Sequence, residues 1–186
     1  GETFLVDELD TGNHTVTVSP ADVNYYTRVQ AHKDTEIMKV YEEKTVWGTR
    51  ISRGELRVTD QVTGYAKWQI HSHKRINIVS LDLPPQEFET EGFWFSIPAA
   101  IQHKCDAQGV DLMGALHAIE HAAIGIFPLM VMVDHKDIGG MSTHYHPQIG
   151  DAVIFIYDGI PGGAGLTRAA FVDAQRLLHH TRNVIK

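Results

Sequence analysis

The stretch Ile154-Phe155-Ile156-Tyr157-Asp158-Gly159-Ile160-Pro161-Gly162-Gly163-Ala164-Gly165-Leu166 decides how the second half of this chain folds. An apolar run ending in an acid, then a glycine-rich turn and a new apolar start, describes a buried strand that hands over to a helix. Such junctions gather ligands in α/β proteins, because glycine lets backbone N–H groups approach a ligand and a helix N-terminus adds partial positive charge. The spacing argues against a nucleotide. A P-loop needs a lysine after its last glycine, yet the first lysine after Gly165 is Lys186. A dinucleotide turn needs a third glycine where, counting from Gly163, Arg168 stands. The turn reads as a tight connection that lets strand and helix pack closely.

Outward from this segment, Ala152 to Tyr157 is the strand, and a helix is expected from about Thr167 to Ile185 with Ala170, Ala174, Leu177 and Leu178 inward. Val110 to Ile126 carries Leu112, Leu116, Ile119, Ala123 and Ile126 at helical spacing, so it predicts a mostly buried helix. A strand is expected at Leu129 to Val133, and a polar loop from Asp134 to Asp151. Before Pro98 the pattern is β: Thr15 to Val18, Ile37 to Trp47, Arg50 to Thr59, Tyr65 to His71, Ile76 to Leu81 and Phe93 to Ile97. The expected fold class is α+β. An N-terminal antiparallel β-barrel-like or curled sheet module over residues 1–97 precedes a smaller α/β module over 98–186.

With 43% hydrophobic and 21% charged residues the chain is globular rather than disordered. Its formal charge of -7 leaves no broad footprint for duplex DNA, so any nucleic-acid surface has to be local. The single cysteine, Cys105, excludes an internal disulfide and any cysteine-cluster zinc site; a reducing cytoplasm is the expected setting. No stretch is expected to reach the roughly 20 apolar residues of a membrane span, because Ala122 to Val133 is broken by Pro128. Gly1 and Lys186 read as boundaries within a longer protein.

Twelve histidines are far more than chance supplies, and His117-Ala118-Ile119-Glu120-His121 has the spacing of an inverted zincin motif. Positions i and i+4 share a helix face, so both imidazoles could reach one metal with Glu120 polarising water. Asp134, Asp137 or Asp158 would have to supply the third ligand, because no glutamate follows Glu120. The metal set considered is His117, His121 and Asp134. Against it stands a structural reading in which His117, Glu120, His121, Asp134, Asp137 and Asp158, with Gly162, Gly163 and Gly165, form a hydrogen-bonded junction between helix and sheet. Lys67, Lys74 and Arg75 around Trp68, and Arg168 beside the glycine turn, are the candidate DNA contacts, since single strands bind where a few cations meet aromatic platforms.

Asn24-Tyr25-Tyr26-Thr27-Arg28, Leu81 to Pro85 with Phe93-Trp94-Phe95, Ala115 to Ala122, Asp134 to Asp137 with Gly139-Gly140 and Ser142, and Ile154 to Leu166 form a series of blocks. In that order they resemble the C-terminal accessory domain, of MrfA zinc-binding type, of YprA/MrfA-like superfamily 2 DEAD/DEAH-box DNA helicases. The resemblance covers nearly the whole chain. It implies motor domains before Gly1 that use ATP and Mg, and a four-cysteine structural zinc cluster just beyond Lys186, so the zinc ligands would be missing from this sequence. It also implies that the parent protein unwinds DNA 3'-to-5' in DNA repair. The chain itself, lacking a P-loop, is expected to carry no catalysis and no cofactor; it would serve as scaffold and single-strand contact for the upstream motor domains. Two rivals remain: a metal-dependent hydrolase using His117, Glu120, His121 and an Asp, and a protein-docking module.

Overall fold

The computed structural model describes residues 3–185, which fall into two compact units, one made of residues up to 32 with 61–84, the other of 33–60 with 85–186. In the first unit a short hairpin pairs β1 (Phe4–Asp10) with β2 (Thr15–Pro20). The first unit also takes the start of β3 (Tyr25–Val46), the end of β4 (Thr49–Gln69) and β5 (Arg75–Ser80), with β4 and β5 antiparallel. The strands expected separately at Arg50 to Thr59 and Tyr65 to His71 are one strand, β4, with Thr63-Gly64 inside it. Gly64 opposes Ser80, and a side chain there would run into the backbone of Val79, so glycine permits close approach instead of ending the strand.

In the second unit the remainder of β3 and β4 continues through β6 (Gln86–Ile97) to β8 (Ala152–Asp158) and β7 (Ile138–Thr143), in the order β3-β4-β6-β8-β7. The ladders β4–β6, β6–β8 and β7–β8 are all antiparallel. Mostly antiparallel sheet with four helices makes the chain α+β. The division expected at residue 97 is not the one that the hydrogen bonds draw, because Phe93 on β6 pairs with Ile156 on β8 across that boundary. Sheet pairing is non-local and leaves little trace in local composition.

Strand β8 sits between β6 and β7 and is buried along its full length. Alternation gives each face a different partner. Ala152, Ile154 and Ile156 join the core under the helices, while Val153, Phe155 and Tyr157 pack with Leu56, Val58 and Trp94 on the other side. Strand β7 lies within the stretch Asp134 to Asp151 that reads as polar loop. Its glycines are dictated by neighbours: a side chain at Gly139 would fall on the ring of Tyr157, and one at Gly140 would meet Glu120 and Ile124 at 2.8 Å.

The helices are α1 (Ala99–Ala107), α2 (Leu112–Met130), α3 (Leu166–Val172) and α4 (Ala174–Ile185), with a 3-10 turn at His135–Asp137. No strand forms at Leu129 to Val133; α2 runs through Pro128 to Met130, and the Val131 N–H closes the last turn on the Phe127 carbonyl at 2.9 Å. A proline in the last turn deletes one donor without forcing the chain to stop. By length and composition α2 is apolar enough to cross a membrane, contrary to expectation. Its buried stripe is Leu116, Glu120, Ala123, Ile126 and Phe127, so α2 is not the mostly buried helix expected from its spacing: one face seats on the core and the other is exposed. The single helix expected over 167–185 is broken at Asp173.

Burial pushes the Tyr157 hydroxyl up to about 12, helped by the negative charges of Asp60 and Glu120. An unfolded tyrosine ionises near 10, so the native state holds the proton more tightly, and this contribution is intact below pH 10 and lost as pH rises towards 12. Two units correspond to about 3 kcal/mol. Between pH 9 and pH 12 the urea midpoint should therefore fall more for wild type than for Tyr157→Phe. Parallel pH profiles would mean that the hydroxyl is not shielded.

Candidate functional site

The glycine turn is organised by one carboxylate. Asp158, fully buried at the end of β8, accepts hydrogen bonds from the N–H groups of Ala164 (2.6 Å) and Leu166 (3.2 Å) on Oδ2 and of Thr167 (2.8 Å) on Oδ1. It thereby occupies the place at the start of α3 where an external anion would bind. Positive φ at Gly162 (82°), Gly163 (73°) and Gly165 (77°) bends the backbone around it. The turn is also strapped down: Gly162 N–H donates to the Glu89 carbonyl (2.7 Å), Gly159 N–H to the Asp137 carbonyl (2.6 Å), and Thr90 Oγ1 to the carbonyls of Asp158 (2.8 Å) and Ile160 (3.1 Å). Arg168 projects from α3 as an exposed residue.

A second group gathers on α2. Glu120, 5% exposed, faces β7 and accepts from Ser142 Oγ at 2.6 Å on Oε2, and the same oxygen lies 3.5 Å from Nδ1 of the exposed His117. The rings of His117 and His121 meet edge to face with centroids 4.4 Å apart. Donor atoms of His117, Glu120 and His121 all lie within 4.8 Å of one another. Asp134 is not in this group; its Oδ1 caps the 3-10 turn by accepting from Lys136 N–H at 3.2 Å. Asp137 meets the glycine turn through its backbone carbonyl. Among the described residues no hydrogen bond joins the Asp158 group to the Glu120 group.

The third group lies in the first unit. Residues 61–81 contain Lys67, Lys74 and Arg75 with two histidines and no acid. The structure divides the expected cluster between two faces of the sheet. Lys67 Nζ sits 4.7 Å from the centre of the Tyr25 ring, whereas the Arg28 guanidinium lies between Tyr26 (5.5 Å) and Trp68 (5.2 Å). Arg75 pairs with Trp68 across the β4–β5 ladder, where the register shifts between Lys67 and Trp68. Lys74 is exposed in the turn between those strands. Arg28, Thr90 and Thr167 carry no sequence-level expectation of a role. For Arg28 a signal existed: it is the sole basic residue before Lys33, two positions from Tyr26 on the same face of a strand.

Residues 119–186 match the family described as the MrfA Zn-binding domain. The chain is 27% identical over 174 residues to the ATP-dependent helicase YprA of Bacillus subtilis, covering 92% of this chain and 22% of that protein. It is 25% identical over 190 residues to the ATP-dependent helicase hrq1 of Schizosaccharomyces pombe, covering 96% and 18%. Over 74 residues it is 39% identical to the protein MJ1572.1 of Methanocaldococcus jannaschii, covering 38% and 66%. Its fold is that of a segment of the helicase MrfA: the DNA-bound crystal structure superposes with a TM-score of 0.67 at 23% identity over 94% of this chain and 23% of that one. The chain thus spans about a fifth of the length of the helicases it matches. A four-thiolate zinc site does not fit the residues present, since 119–186 hold no cysteine and Cys105 stands alone on α1. The chain is thus similar, over residues 119–186, to the MrfA Zn-binding domain and, over nearly its whole length, to segments of YprA- and Hrq1-type ATP-dependent helicases, with the fold of the matching segment of MrfA.

Proposed function

We propose that this chain is a non-ATPase accessory part of an ATP-dependent DNA helicase, and that it holds a single strand on the Arg28 face of the first unit while the second unit serves as scaffold. The observation that carries the reading is the Arg28 guanidinium against the rings of Tyr26 and Trp68, with Arg75 paired to Trp68 and no acid in residues 61–81. A guanidinium close to aromatic rings combines stacking surfaces for a base with a charge for its phosphate. The glycine turn is a poor rival, because Asp158 takes its N–H groups. The groove of about 690 Å³ in the second unit is poorer still, being lined by Glu55, Glu87, Glu89 and Glu91. Unwinding in the 3'-to-5' direction, a place in DNA repair and the use of Mg by the motor are carried over from the family resemblance.

Fluorescence anisotropy with a labelled oligothymidine tests this. Each phosphate contact on a single strand contributes about 0.7 to the slope of log affinity against log salt. Arg28→Ala with Arg75→Ala is expected to lower the slope by roughly 1.4 and affinity at least tenfold, while Lys67→Ala on the opposite face changes little. Equal losses for both variants, or none for either, would contradict the reading. A docking role is favoured by a separate observation: the β1–β2 hairpin exposes Phe4, Leu5, Val6, Leu9, Val16 and Val18. An isolated two-stranded hairpin is marginal in water, so a covering surface from the upstream motor would stabilise it.

A further inference from the structure

We propose that His117, Glu120 and His121 bind one divalent transition-metal ion of the zinc class, with two imidazole nitrogens and one carboxylate oxygen as ligands. This site is separate from any cysteine cluster and does not depend on DNA binding. The buried carboxylate of Glu120 has a neutral donor in Ser142 and, among the described residues, no Lys or Arg in an ion pair with it. Buried charges are ordinarily paired or coordinate metals, and the groups that lie over this one are two neutral-capable imidazoles.

The geometry suits the assignment. Zinc holds nitrogen and oxygen ligands at about 2.0 to 2.2 Å, which places tetrahedral neighbours about 3.3 Å apart. The three donors already lie within 4.8 Å of one another on adjacent turns of α2, and Glu120 Oε2 is 3.5 Å from His117 Nδ1. Both imidazoles are exposed and free to rotate inwards, while Glu120 is fixed by Ser142. Ser142 is therefore the outer residue that orients a ligating carboxylate. Three protein ligands leave one position open on the solvent side, for water or a group brought by a partner. Mixed nitrogen and oxygen donors select zinc, cobalt or nickel over magnesium or calcium.

The test is metal uptake by the whole, tag-free chain after chelator dialysis, read by elemental analysis with Zn2+ and by visible absorption with Co2+. Wild type should take up one equivalent of zinc and give the intense bands of four-coordinate cobalt. His117→Ala with His121→Ala should weaken binding on the order of 100-fold, and Ser142→Ala about tenfold. His179→Ala with His180→Ala, the neighbouring imidazole pair on α4, should leave it unchanged. Circular dichroism should show the His117/His121 variant folded, since both side chains face solvent. The proposal fails if wild type takes up no metal, if uptake survives loss of both His117 and His121, or if the His179/His180 variant abolishes it.

Discussion

Asp158→Ala is expected to lower the thermal midpoint by about 10 °C. The substitution leaves three N–H groups without an acceptor, those of Ala164, Leu166 and Thr167, and the last of these bonds is fully buried. A buried donor without a partner costs about 1 to 3 kcal/mol, so a total near 4 kcal/mol is expected after water enters the space. For a chain of this size each kcal/mol moves the midpoint by about 2 to 4 °C. Asp158→Asn keeps the volume and one acceptor oxygen, and about half the loss is expected. Calorimetry of the three proteins measures this. A wild-type midpoint for the alanine variant would mean that the turn does not depend on the carboxylate.

Phe127→Ala is expected to destabilise the fold by about 3 to 5 kcal/mol, through lost apolar contact and a cavity that the sheet cannot close. The ring is completely buried on α2 and lies nearly parallel to Phe93 on β6, 6.3 Å between centroids and 14° between planes. Phe93→Ala should cost a similar amount. The double variant should fall short of the sum by about 0.5 to 1.5 kcal/mol, the part that belongs to the pair. Leu129→Ala, exposed on the same helix, should stay within about 0.5 kcal/mol of wild type. Urea unfolding provides the comparison, and a loss below 1 kcal/mol for Phe127→Ala would contradict the seating of α2 on the sheet.

Much of this architecture is legible in the sequence where one local signal dominates. The unbroken apolar run of β8 announces a strand covered on both faces, and the helical spacing from Leu112 to Ile126 announces α2. Failures occur where a residue answers to a distant neighbour. Gly139 and Gly140 look like loop, yet they are strand residues made small by Tyr157 and Glu120; Gly64 looks like a stop, yet it admits β5. Pro128 looks like the end of a helix, but it falls where the last turn closes without its N–H. The same rule applies to the candidate sites. Glu120 and its histidines are visible by spacing, but Ser142, which fixes the carboxylate, arrives from another element. Lys67 and Trp68 are adjacent in sequence and for that reason point to opposite faces of their strand.

The claim that the Arg28 face holds a single strand is tested most directly by photo-crosslinking. The chain is irradiated with a thiothymidine-containing oligonucleotide and the modified peptides are mapped. The account predicts modification in peptides containing Tyr26, Arg28 and Trp68, suppressed at high salt and in the Arg28→Ala, Arg75→Ala variant. Modification confined to residues 159–168, or to the glutamate-lined groove of the second unit, would contradict it.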